Sequence, residues 1–176
     1  MKNNYFPVFD TGQLKTSEIL NLCEKLFPVY CYNRKSVDKE FPLPKKATLR
    51  WFKANIEADE EHKNKSADGL EKEGIKGITL RERLLLELNY YSFTGKHLDI
   101  DKITLCTGSR DSGGYVPHVG WYDDKLQVHW YYSGDAHDDL RVRVAVFNPF
   151  DSLPLKDKWI EQGEKEGWIS EGKVIK

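Results

Sequence analysis

The sequence predicts an α+β fold, with N-terminal helices followed by a twisted, largely antiparallel C-terminal sheet. Up to Tyr91 the apolar residues recur at helical spacing, and from Leu98 onward they alternate. The composition, 39% hydrophobic and 31% charged with 12% aromatic, belongs to a globular chain rather than a disordered one. A chain of 176 residues buries roughly 70% of its unfolded surface as one domain. Three parts are expected within it: a helical stretch over 1–77, a helix and sheet over 78–147, and a tail over 148–176 that packs back.

Thr16 or Ser17 caps the first expected helix, whose Ile19, Leu20, Leu22, Cys23, Leu26 and Phe27 form one stripe ending before Pro28. After the breaker Phe41-Pro-Leu-Pro44, the residues Leu49, Phe52 and Ile56 fall on one helical face. A mixed-sign charge run from Glu57 to Lys65 reads as a solvated helix end or loop, and Gly69, Gly74 and Gly77 punctuate a polar linker. Thr79-Leu-Arg-Glu82 then has the capping-box pattern. The helix it opens, about 79–94, repeats Leu80, Leu84, Leu88 and Tyr91 on one face and ends at Gly95, a left-handed cap.

The sheet begins at Ile103 and Leu105. Two half-buried strands follow, with Val119 and Trp121 alternating against His118, Gly120 and Tyr122, and Leu126, Val128 and Trp130 against Gln127, His129 and Tyr131. A two-residue turn at Asp124-Lys125, or a four-residue loop around it, sets Trp121 opposite Val128 and Val119 opposite Trp130. On the outer face it pairs Tyr122 with Gln127, Gly120 with His129 and His118 with Tyr131. A last strand runs from Leu140 to Phe147 with Leu140, Val142, Val144 and Val146 inward, and Trp159, Ile160, Trp168 and Ile169 supply the tail with a short helix and a turn.

The charges nearly cancel, 27 Lys and Arg against 28 Asp and Glu, so nothing draws a polyanion and no nucleic-acid partner is expected. No apolar run approaches the roughly 20 residues of a membrane span, and MKNNYFPVFD has no apolar leader region. Cys23, Cys31 and Cys106 are odd in number and far apart, which suits a reducing compartment, and a soluble cytoplasmic chain is expected.

Four chemistries deserve comparison. Asp111-Ser-Gly-Gly114 has the look of a nucleophilic-serine loop, but neither His62 nor His97 sits in a matching base motif, and a glycine turn accounts for it. His118, His129 and His137 lie near Asp123, Asp124, Asp135, Asp138 and Asp139 without metal-ligand spacing, so a small metal-dependent hydrolase stays an alternative and no metal or cofactor is assigned. Outward Tyr with Arg141 and Arg143 could stack bases, yet the aromatic spacing of RNA-binding sheets is missing, and these arginines are expected to meet nearby Asp residues or line a strand edge. The outer set Tyr115, His118, Gly120, Tyr122, Gln127, His129, Tyr132, Ser133 and His137 has paratope chemistry: rigid aromatic contact with adaptable small residues beside it.

The segments ITLRERLLLELNYYSFTGKHLD, LCTGSRDSGGYVPHVGWYDDKLQVHWYY and LRVRVAVF, spanning Ile78 to Phe147, resemble the variable proteins of diversity-generating retroelements. In that family error-prone copying at adenines converts Asn codons to Tyr, His, Asp, Ser or Gly while the framework stays fixed. The resemblance implies a C-type-lectin-like fold for this part and a hypervariable region at the outer-face residues above, with Val119, Trp121, Val128 and Trp130 as framework. Gln127 derives there from a Lys codon, and Cys106-Thr-Gly-Ser-Arg110 stands where the family has Gly-Gly-Ser-Trp. The expected function is non-catalytic recognition of a protein or other macromolecular ligand; a structural assembly subunit is the third alternative.

Overall fold

The computed structural model describes residues 5–146, Lys165 and two short strands at 169–170 and 173–174. Contacts within the chain separate two units, Met1–Ala145 and Val146–Lys176. The first unit runs β1 (Tyr5–Asp10), α1 (Thr16–Glu24), β2 (Val29–Cys31), α2 (Val37–Glu40), β3 (Thr48–Lys53), α3 (Ala67–Lys72), α4 (Leu80–Thr94), β4 (Ile103–Leu105), β5 (Val116–Tyr122), β6 (Lys125–Tyr131) and β7 (Leu140–Arg141). The second holds the antiparallel pair β8 (Ile169–Ser170) and β9 (Lys173–Val174). Phe147 and the tail residues Trp159, Ile160 and Trp168 lie outside the described residues.

The α+β class is as expected, but the first 77 residues are not purely helical. Leu49 and Phe52, three apart, fit one helical face, yet they stand on opposite sides of a strand: Phe52 is buried and Leu49 is 57% exposed. β3 alternates in this way because it pairs antiparallel with β1, Phe6 opposite Phe52 and Val8 opposite Arg50. The expected linker is also more ordered than its glycines suggest. Ser66 caps α3 by accepting the Gly69 amide hydrogen, and Gly77 is buried and bridges to Val144.

α1 forms where the stripe placed it, burying Ile19, Leu20 and Cys23, but its cap is Lys15. The Lys15 amide donates to Glu18 at 2.6 Å, while Thr16 and Ser17 are drawn away, Thr16 Oγ1 to the Phe41 carbonyl and Ser17 to Asp38. α4 follows its capping box closely. Glu82 accepts the Thr79 amide at 2.9 Å, its own amide donates back to Thr79 Oγ1, and Gly95 closes the helix at φ 65°.

The main sheet has the order β2-β6-β5-β4-β7, antiparallel through β6, β5 and β4, with β2 and β7 added parallel at the edges. Its hairpin corrects the expected register by two residues. Asp123 and Asp124 both have positive φ, 51° and 56°, and form the turn, so Tyr122 pairs with Lys125, Trp121 with Leu126 and Val119 with Val128. Asp tolerates that left-handed conformation far better than Lys, which fixes the turn at 123–124 instead of 124–125. An even shift preserves the faces, and so the inward set is unchanged.

One face packs Val119, Leu126 and Val128 on α1 and α4. Among the described residues the other is covered at its β4–β7 end, where Leu105, Val116, Leu140 and Val142 meet Ala67 and Leu70 of α3. Beneath the sheet lies a cluster of charges with no solvent exposure. Arg83 donates to Asp99 at 2.9 Å and to Glu87 at 2.7 Å, and Arg143 donates to Asp99 at 2.6 Å and to the Asn55 and Ile56 carbonyls. Thr104 donates its hydroxyl to Asp99 as well. Burial alone would raise the Asp99 pKa, but the guanidinium charges of Arg143 and Arg83 outweigh it and hold the carboxylate below its usual range. Of the two strand arginines, Arg143 thus meets an aspartate, and Arg141 meets Glu60.

Replacing Asp99 by Ala leaves two buried guanidiniums short of counter-charge. Urea denaturation should show a loss of about 3–5 kcal/mol. Replacing Arg34 by Ala, which breaks the exposed pair with Glu24, should cost about 1 kcal/mol or less.

Candidate functional site

Among the described residues, the sheet face away from α1 and α4 is open over β2, β6 and β5. In β2, Cys31 turns into the core while Tyr30 stands on the opposite face beside Gln127, its parallel register partner. The next residue but one, Tyr32, continues that side and donates its amide to the Val128 carbonyl. Around His129 gather Tyr30 at 5.2 Å, His118 at 5.7 Å, Tyr32 at 6.3 Å and Tyr122 at 6.4 Å between ring centroids. A second pair, Tyr115 and Tyr132 at 4.8 Å, stands near the start of β5.

The nine expected contact residues separate into an exposed and a buried group. Tyr132 is 66% exposed, His137 is exposed 5.3 Å from Tyr131, and Tyr115, Tyr122, His129 and Ser133 are half-buried. Ser133 is tied to α3, its Oγ donating to Asp68 at 2.9 Å. The correction concerns His118, Gly120 and Gln127, which are on the expected face but buried. A Cβ on Gly120 would lie 3.3 Å from the Tyr122 ring and 3.4 Å from the Lys102 carbonyl oxygen, so larger residues crowd there. Gln127 acts as a bracket. Its amide nitrogen donates to the Tyr122 carbonyl at 3.0 Å and to Asp123, which leaves its oxygen to accept from His129 Nε2, also at 3.0 Å.

His118 lies flat against Tyr131 at 4.1 Å, and its Nδ1 is buried without a hydrogen-bond partner. Burial, with lesser repulsion from His129 and His137, pushes its pKa down to about 3. Burial also holds His129 below its ordinary value, which favours the neutral form of this ring. The three histidines do not converge as a ligand set. Among the described residues the group able to do so is Asp59, Glu61 and His62, where Lys53 already pairs with both carboxylates.

A cleft of about 450 Å³ opens between β2 and the loop before β5, lined by Tyr32, Asn33, Asp111, Tyr115, His129 and Trp130. The loop is a closed turn. Asp111 Oδ1 accepts the amide hydrogens of Gly113 and Tyr115, both at 2.9 Å, and Gly114 takes φ 82°. Ser112 donates its amide to Glu40, and no imidazole hydrogen-bonds it among the described residues. Sequence reasoning missed Tyr30, Tyr32, Asn33 and Asp111 as parts of the face. The signal was the alternation Val29-Tyr-Cys-Tyr32 directly after Pro28, too short to stand out from the helix before it.

No helix among the described residues is long and apolar enough to cross a membrane. No family model matches the chain, and comparison with curated proteins and with solved structures finds no match for it.

The His118 pKa is lower folded than unfolded, so between pH 6.5 and about 3 the unfolded chain takes up a proton that the folded chain refuses. Stability therefore falls as pH drops through that window, by at most about 1.4 kcal/mol per pH unit from this group. His118→Phe should flatten that loss relative to the wild type in denaturation series at successive pH values. Identical pH profiles would remove His118 as a cause.

Proposed function

We propose that this chain recognises a protein or other macromolecular ligand, without catalysis, through the open face of β2, β6 and β5. The observation that carries this reading is the grouping of Tyr30, Tyr32 and Tyr122 around His129, with the Tyr115–Tyr132 pair as a second aromatic contact, on a sheet whose Val119, Leu126 and Val128 have no solvent exposure. Tyr30, Tyr32 and Tyr132 are 43%, 65% and 66% exposed, unusual for residues that large on a chain with an ample core. Tyr supplies wide contact with few rotatable bonds, and a frame already packed spares the ligand the cost of ordering a loop.

The resemblance to retroelement variable proteins extends the proposal: the outer positions between Tyr115 and His137 are diversified, on a C-type-lectin-like segment. Support comes from the order of helix, short strand and hairpin in that segment. Burial narrows the variable set to Tyr115, Tyr122, His129, Tyr132, Ser133 and His137, because His118, Gly120 and Gln127 are packed beneath them. Three free, buried thiols fit a reducing compartment, and the cytoplasm is the location we assign.

Sequencing the DNA on both sides of the gene tests the diversified face. The expected finding is a near-copy of the segment encoding Cys106 to Phe147, differing almost only where the copy has adenine, beside a reverse-transcriptase gene. A flanking region without such a copy would overturn diversification.

A further inference from the structure

The cleft beside Asp111 has a chemistry of its own. Four of its six lining residues, Tyr32, Tyr115, His129 and Trp130, are aromatic, and the single charged one is an anion. Aromatic faces carry negative electrostatic potential, so rings grouped around a carboxylate favour a cation whose surface is partly apolar. About 450 Å³ accommodates a quaternary ammonium head or a guanidinium together with part of the chain that bears it.

Asp111 is held ready for such a group. Its Oδ1 is fixed by the Gly113 and Tyr115 amides, whereas its Oδ2 has neither a hydrogen bond nor an ion pair among the described residues. The arginines adjoining the lining segments are engaged elsewhere: Arg110 pairs with Asp68 and Glu71, and Arg34 with Glu24 and Asn21. Glu40, bound to the Ser112 amide, adds a second negative charge at the loop. His129 contributes a ring face without a competing charge at neutral pH, since burial lowers its pKa.

We propose that this cleft binds an organic cation, an alkylated ammonium or a guanidinium, between the rings of Tyr32 and Tyr115 with Asp111 as counter-charge. The inference rests on the recognition reading of the face and names the group that its ligand presents there.

Calorimetric titration of the full chain with choline and with 3,3-dimethylbutan-1-ol, its uncharged isostere, tests the proposal. N-acetylarginine amide serves as the guanidinium probe. At least one cation should bind about tenfold or more tightly than the neutral alcohol, and which one does identifies the head group. Asp111→Asn should weaken that binding about tenfold. It should leave the melting temperature unchanged, because the Asn oxygen accepts the same two amide hydrogens. Tyr32→Ala, at a site 65% exposed, should weaken it too without unfolding the chain. Failure of both cations to bind more tightly than the alcohol, or an Asp111→Asn variant that binds like the wild type, would overturn the proposal. A template copy beside the gene together with failed cation binding would retain the recognition face and remove only this specificity. Cation binding without a template copy would uphold the cleft and remove diversification.

Discussion

Asp99 is the point on which the first unit converges. Its carboxylate receives Arg83 from α4, Arg143 from the chain beyond β7 and the hydroxyl of Thr104 from β4, with no solvent in reach. Its backbone does as much: the amide donates to the Ile56 carbonyl and the carbonyl accepts from Trp121 at the end of β5. The residue holds φ 55°, a left-handed conformation that Asp tolerates better than most, and so presents both its chain and its side chain to these partners at once. Buried ionic groups of this kind fix arrangement more than they add net stability, since desolvation consumes much of the attraction. Here the arrangement they fix is the placement of α4 beneath the sheet.

The open face follows from that placement. Glu87, neutralised by Arg83, also receives His97 at 2.9 Å, and the His97 ring stacks on Trp121, which Phe27 meets edge-on from the end of α1. The charges thereby extend into an aromatic layer that supports β5 from below. Leu126 and Val128 anchor β6 in the same core, and Gln127 brackets the hairpin from above through Tyr122, Asp123 and His129. Tyr30 and Tyr32 join because β2 adds parallel to β6, which brings the first half of the chain to a face built mainly by the second. Among the described residues, α3 closes the other end of the same face, so the opening has a definite border.

Much of this was legible in the amino acids. The Thr79 capping box and Gly95 marked α4, and the alternation through Val119–Trp121 and Leu126–Trp130 marked the hairpin and its faces. Apolar spacing cannot see ion pairs, and it gave no sign that Arg81, Arg83 and Glu87 of α4 are all buried. The same blindness hid β3, whose Leu49 and Phe52 happen to match helical spacing, and with it β1, its partner in a two-stranded ribbon. The hairpin register depended on which two residues tolerate positive φ, a local conformational matter that outweighs side-chain pairing. Burial of His118, Gly120 and Gln127 was illegible for another reason: neighbours from β4 and from their own strand pair cover them, and alternation reports a side of the sheet, not its depth.

The central claim is that the recognition face is built before any ligand arrives, on a frame held by the Asp99 cluster. Hydrogen exchange of the free protein tests this directly at the amides of β5 and β6. The account predicts that Val119 and Val128 exchange only through global unfolding, with an opening free energy equal to that from urea denaturation. Exchange of these amides through a local opening well below the global value would show a face that forms on binding, and would contradict the account.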